Sequence, residues 1–210
     1  MTITQALIAF TLAAGLLTIT PGLDTALVLR TAAVEGPKKA WLAAIGVCLG
    51  TLGWGAIAAL GLGALLAASE LAFTVLKWIG AAYLVWLGLN LILKPRTQFD
   101  VEAAPKARPR SGLGWLWKGA FNNLLNPKAG VFYISFLPQF VPHGVPAAPF
   151  MFGLACLHVV LGVAWFAMVI GATRPIAGAL QKAAVVRWLD RLTGGVFLGF
   201  GVRLALERRS

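Results

Sequence analysis

Acidic side chains are scarce in this sequence. Seven Asp and Glu stand against 18 Lys and Arg, and charged residues make up only 12% of 210 positions. A soluble domain carries roughly 25% charged residues. At half that fraction, too little polar surface remains to cover a water-exposed globule. Cysteine and histidine are scarce as well, two of each. Cys48 and Cys156 lie singly inside apolar runs, with no CxxC or Cys/His spacing, so neither a metal site nor a disulfide framework is expected. Both read as small core residues. GxSxG, HExxH and Walker-type spacings are missing, which argues against an enzyme and against ATP hydrolysis by this chain. No cofactor is expected.

What the sequence has in abundance is apolar surface: 59% hydrophobic residues and a mean hydropathy of +0.82. Lipid is the natural solvent for such a chain. Helices satisfy their backbone groups internally, so apolar runs of about 20 residues read as membrane spans. The alternating short segments of a lipid-facing barrel are absent. Six runs can be traced, at about 3–34, 41–68, 71–93, 115–140, 149–173 and 185–206. The first has no basic segment before it and runs past signal-peptide length, so it reads as a retained span.

The net charge of +11 raises the question of nucleic acid. The basic residues, however, gather at the ends of apolar runs and in one linker, the pattern of topology determinants and lipid-headgroup contacts. Nucleic acid is therefore not an expected partner. Lys38 and Lys39 lie between runs one and two; Lys94, Arg96, Lys106, Arg108 and Arg110 lie between three and four; Arg174 and Lys182 lie between five and six. The positive-inside rule places these three loops in the cytoplasm and both termini on the opposite side of the membrane. Arg203, Arg208 and Arg209 in the tail run against this orientation, and the three internal loops outweigh them.

The chain divides into a first three-helix repeat (1–93), a polar linker (94–114) and a second three-helix repeat (115–210), forming one membrane domain. Aligning Pro21 with Pro127 superposes two proline-broken runs and brings Gly50 near Cys156. With an odd number of spans per half, the second repeat inserts upside down. The expected fold is an all-α integral membrane protein, six transmembrane helices in an inverted three-plus-three repeat with broken first and fourth helices.

The two breaks carry the chemistry. In Thr20-Pro21-Gly22-Leu23-Asp24, proline removes a helical hydrogen bond and glycine tolerates a bend, so a new half-helix should start inside the membrane. Asp24 falls in its first turn. An intramembrane carboxylate is costly unless paired, protonated or functional. It either caps its own helix or serves a solute ammonium or a proton. In Asn122-Asn123-Leu124-Leu125-Asn126-Pro127-Lys128, Asn126 suits an N-cap and Pro127 the first helical position. Lys128 beside a positive helix end calls for an anion, with Asp24 and a substrate carboxylate as candidates and a cytoplasmic snorkel as the alternative. Two half-helix N-termini facing one another, with Asp24 between, outline a site for an amino-acid zwitterion. His158 either lines a polar pathway or is hydrogen-bonded structure. Asp190 reads as part of a surface ion pair with Arg187 or Arg191. Glycine spacings such as Gly46/Gly50 and Gly195/Gly199 permit close helix approach and leave a homodimer open.

On TPGLDTALVLR, KWIGAAYLVWLGLNLI and especially NLLNPKA followed by LPQF, the chain resembles the LysE/RhtB family of bacterial amino-acid exporters over essentially its whole length. The resemblance implies six spans and secondary export of amino acids or their derivatives, driven by proton antiport. It carries site roles onto Pro21, Gly22, Asp24, Asn123, Asn126, Pro127 and Lys128, with Asp24 as the proton-coupling group. Leu23 departs from the proline common at that position, and Trp54, with His158 a candidate for the pathway, stands where many relatives carry histidine, which argues against a histidine proton relay in the second span. The expected partners are a small-molecule substrate and membrane lipids. An inorganic-cation carrier is the alternative, disfavoured by the single intramembrane acid before the last span. A membrane enzyme, a lipid-handling protein or a purely structural subunit fits less well.

Overall fold

The computed structural model describes residues 1–62, 70–95 and 111–206; the expected linker lies largely outside them. All regular structure among the described residues is helical. Helix α1 (Ile3–Ile19) opens with a capping box in which Thr2 and Gln5 satisfy each other's backbone N–H groups. It stops at Pro21, and α2 (Leu23–Glu35) leaves at 51°. Gly36 then adopts φ 91°, a left-handed conformation that favours glycine, and Pro37 starts α3 (Pro37–Ile57) at once. The last turn of α3 widens into a π-turn over Ala58–Leu62. Helix α4 (Glu70–Leu93) completes the first half.

The second half begins with α5 (Gly112–Leu124), capped by Ser111, whose hydroxyl accepts from Gly114 N–H at 3.1 Å. A break at Leu125-Asn126 follows, then α6 (Pro127–Val131). The run expected to 140 continues, but not as α-helix: it passes through a π-turn at Phe132–Phe136 and a 3₁₀ turn at Leu137–Phe140. Pro138 has no N–H to extend an α ladder, so the backbone changes register ahead of it. Helices α7 (Ala147–Gly171), α8 (Thr173–Gln181) and α9 (Ala183–Leu206) complete the chain.

Glycine governs the two most intimate helix pairings, α3 on α5 and α4 on α9. A Cβ at Gly46 would lie 1.9 Å from the Leu116 carbonyl oxygen, and one at Gly119 would lie 2.0 Å from that of Ala43. Gly88 and Gly194 meet reciprocally, each notional Cβ 2.7 Å from the other's carbonyl oxygen. Backbones approach this closely only where side chains are missing. Around these pairs lie two apolar clusters. One gathers Phe10, Phe132, Tyr133, Phe136 and Phe140 with α7; the other joins Leu27, Val28 and Leu29 of α2 to Val47 and Phe166.

The outer surface is apolar too. Ile8, Leu12, Ile45, Leu49, Val160 and Met168 all face outward. An apolar exterior over an apolar core suits a lipid solvent. Among the described residues, two helices are long and apolar enough to cross a membrane, Pro37–Gly61 and Ala147–Gly171, and the bent α1–α2 pair makes a third. Two readings of single residues need correction. Asp190, expected in a surface ion pair, is fully enclosed, because the face of α9 that bears it turns inward with Thr193. Cys156, expected in the core, is exposed on α7, whereas Cys48 is buried on α3. Both thiols are free.

Candidate functional site

Pro21 has no N–H, so the Leu17 carbonyl four residues back loses its helical partner. Lys128 supplies one from the other half of the chain. Its Nζ donates to the carbonyl oxygens of Leu17 and Thr20, each at 3.1 Å. The ammonium therefore sits on the negative C-terminal end of α1. This resolves the awkward placement of a lysine in the first turn of α6: its charge is carried from that positive end to the opposite pole of another helix.

Asp24 crosses in the other direction. Its Oδ1 accepts from Asn122 Nδ2 at 2.7 Å, and its Oδ2 accepts from Asn123 Nδ2 at 2.9 Å and Asn126 Nδ2 at 3.1 Å. Asn126 also caps α6, its Oδ1 accepting the Lys128 backbone N–H at 3.1 Å. The anion beside the α6 N-terminus is thus the protein's own carboxylate, delivered from the first break. Each break is completed by a charged residue of the other.

The asparagine cluster is held from behind. Gly50 of α3 has no side chain where a Cβ would come within 2.8 Å of Asn123 Cβ and of the Ala120 carbonyl oxygen. Trp54, one turn on, donates its indole N–H to the Asn123 carbonyl at 3.3 Å. Its ring covers Gly130, where a Cβ would lie 2.8 Å from the indole. Gly22, by contrast, has φ −156°, extended backbone that any residue adopts, so the bend there follows from proline alone.

Helix α7 closes the site and is pinned on both sides of the first break. His158 Nε2 lies 3.1 Å from Thr18 Oγ1 on α1, and Trp165 Nε1 donates to Thr25 Oγ1 on α2 at 3.3 Å. Thr18 already donates its only hydroxyl hydrogen to the Ala14 carbonyl at 2.7 Å, so it accepts from His158 Nε2–H. His158 Nδ1 then accepts from the Tyr133 hydroxyl at 2.9 Å. Both ring nitrogens are thereby paired, with Tyr133 stacked on the imidazole. At the C-terminal end of α1, Thr20 hydrogen-bonds Thr193 of α9.

Between these elements lies a cavity of about 70 Å³, room for a few water molecules. Four residues singled out from sequence line it together: Asp24, Asn123, Asn126 and His158. Pro21, Gly22, Pro127, Lys128 and Trp54 belong to the frame around it. Sequence reasoning did not nominate Asn122, Tyr133, Thr18, Thr25 or Trp165. Thr18 and Thr25 had one usable signal, two hydroxyls seven residues apart astride Pro21-Gly22.

A profile of the LysE type translocator family matches residues 16–208. The chain belongs to the LysE family. Within that family it is 31% identical to a leucine efflux protein of Klebsiella pneumoniae, over 89% of this chain and 88% of the relative. It is 31% identical to a threonine efflux protein of Escherichia coli, over 90% and 92%. An uncharacterized membrane protein of Bacillus subtilis is 28% identical over 97% of this chain and its own full length. No solved structure matches the chain. LysE translocators are membrane proteins, in keeping with the apolar exterior of this one.

Proposed function

We propose that this LysE-family protein exports amino acids or close derivatives from the bacterial cytoplasm across the inner membrane by proton antiport. The observation that carries the reading is the Asp24 carboxylate, held by three asparagine amides at the edge of a cavity between two broken helices. A carboxylate so placed takes a solute ammonium or a proton, and not both. Alternate occupancy by the two is the chemical requirement of antiport. The N-terminus of α2, which has no side-chain cap, and the side-chain amides around it supply donors for the solute's carboxylate. Relatives named leucine and threonine efflux proteins support the same substrate class.

The full architecture belongs to this proposal: six spans, two inverted three-helix repeats joined by a cytoplasmic linker, and periplasmic termini. The exchange of Asp24 and Lys128 between the breaks supports it, since equivalent elements of two repeats would meet head to head in this way. The test is efflux from proteoliposomes preloaded with a panel of amino acids, under an imposed proton gradient. Gradient-dependent efflux of at least one amino acid, lost in Asp24→Asn, is the expected result. Folded protein that moves none of the panel overturns the proposal.

A further inference from the structure

We propose that Gly162 sets the upper size limit of the solute side chain; the inference rests on the cavity being the solute site. His158 and Trp165 are seven residues apart on one face of α7 and tie it to Thr18 and Thr25 on either side of the first break. Gly162 lies between these ties on the same face and lines the cavity. Among the described residues, a Cβ there would meet only one atom within 4 Å, Cys48 Sγ at 3.8 Å. The position is thus open toward the cavity, unlike Gly46, Gly50 and Gly119, whose missing side chains are occupied by backbone. Val47, Val159 and Phe166 supply the apolar part of the lining, with Thr51 one turn from Cys48. With the charged head of the solute on Asp24 and the asparagines, this wall is the surface its side chain meets.

The cavity is small, so a single methyl group matters. Adding one at Gly162 removes volume without displacing backbone, and trimming Cys48 to alanine returns volume at the same spot. The two ties hold α7 in place while the volume changes. A one-carbon mismatch in an apolar pocket changes discrimination by roughly 10- to 200-fold.

The experiment measures efflux of alanine, 2-aminobutyrate, norvaline and leucine from proteoliposomes containing wild type, Gly162→Ala or Cys48→Ala. The expected result is a leucine-to-alanine efflux ratio lowered roughly tenfold or more in Gly162→Ala and raised in Cys48→Ala. Ratios within about twofold of wild type in both variants overturn the inference while leaving the export reading standing. Wild-type protein that moves none of this series but exports another amino acid of the panel overturns the inference and leaves the export reading standing; one that moves none of the panel overturns both. Should Gly162→Ala lose all transport, Cys48→Ala decides: a raised ratio supports the size limit, and an unchanged ratio or a second complete loss overturns it.

Discussion

Lys128 Nζ and the Leu17 carbonyl oxygen, 111 positions apart in sequence, lie 3.1 Å apart because Pro21 has left that carbonyl without a helical donor. Lys128→Met takes the donor away and leaves the C-terminal end of α1 open. A buried polar group stranded in this way costs about 1–3 kcal/mol. Thermal unfolding in detergent should show the loss, and Lys128→Arg, which keeps the cation and its donors, should recover much of it. Equal melting temperatures for wild type and Lys128→Met would show that the contact has no energetic weight.

Asp24→Asn keeps the volume of the side chain but places an NH₂ group where one carboxylate oxygen now accepts from an asparagine. Transport should fall at every pH, because the variant can neither pair with an ammonium nor take up a proton. Efflux by both proteins, followed as a function of pH, checks this. Wild-type rates in Asp24→Asn would remove any role for its charge.

Asn126 and Asn122 both donate to Asp24, but only Asn126 also caps α6. Asn126→Ala should therefore destabilise more than Asn122→Ala, by roughly the 0.5–2 kcal/mol of a lost N-cap. Comparing the two denaturation midpoints separates the cap from the carboxylate contact.

The breaks were legible in the sequence for a local reason. Proline at 21 and Asn-Pro at 126–127 dictate backbone conformation within a few residues, whatever surrounds them. The partners were not legible, because they are set by tertiary contact. Lys128 as donor to α1, and Asn122 beside Asn123 on Asp24, depend on how two distant segments meet. The same limit explains Asp190, which a charge pattern along one helix placed at the surface and which packing encloses. Trp54 is a further case: its indole N–H on the Asn123 carbonyl is a contact no local pattern encodes.

Glycines that look alike in sequence should behave differently. Gly46→Ala and Gly119→Ala drive a methyl group into backbone and should cost about 1–3 kcal/mol or prevent accumulation of folded protein. Among the described residues, Gly195→Ala and Gly199→Ala meet nothing within 4 Å and should be tolerated in the monomer. Membrane yield and detergent melting curves give the comparison. Sensitivity at Gly195 and Gly199 equal to that at Gly46 would contradict the packing described here.

Tyr133→Phe keeps the ring against His158 and removes the hydroxyl that donates to Nδ1. A loss of about 1 kcal/mol is expected in thermal unfolding, with the imidazole free to turn its unpaired nitrogen toward the cavity. No change in stability would show that the Tyr133 hydroxyl is dispensable.

The cross-exchange between the breaks also sets a schedule for biogenesis. A ribosome adding about 5–20 residues per second needs on the order of ten seconds to pass from Leu17 to Lys128. Until Lys128 and the asparagines follow, the first kink carries an unanswered carbonyl and an unaccompanied carboxylate. The newborn amino-terminal half must wait for its complement, and a chain stalled in the connecting segment would be a natural target for membrane quality control.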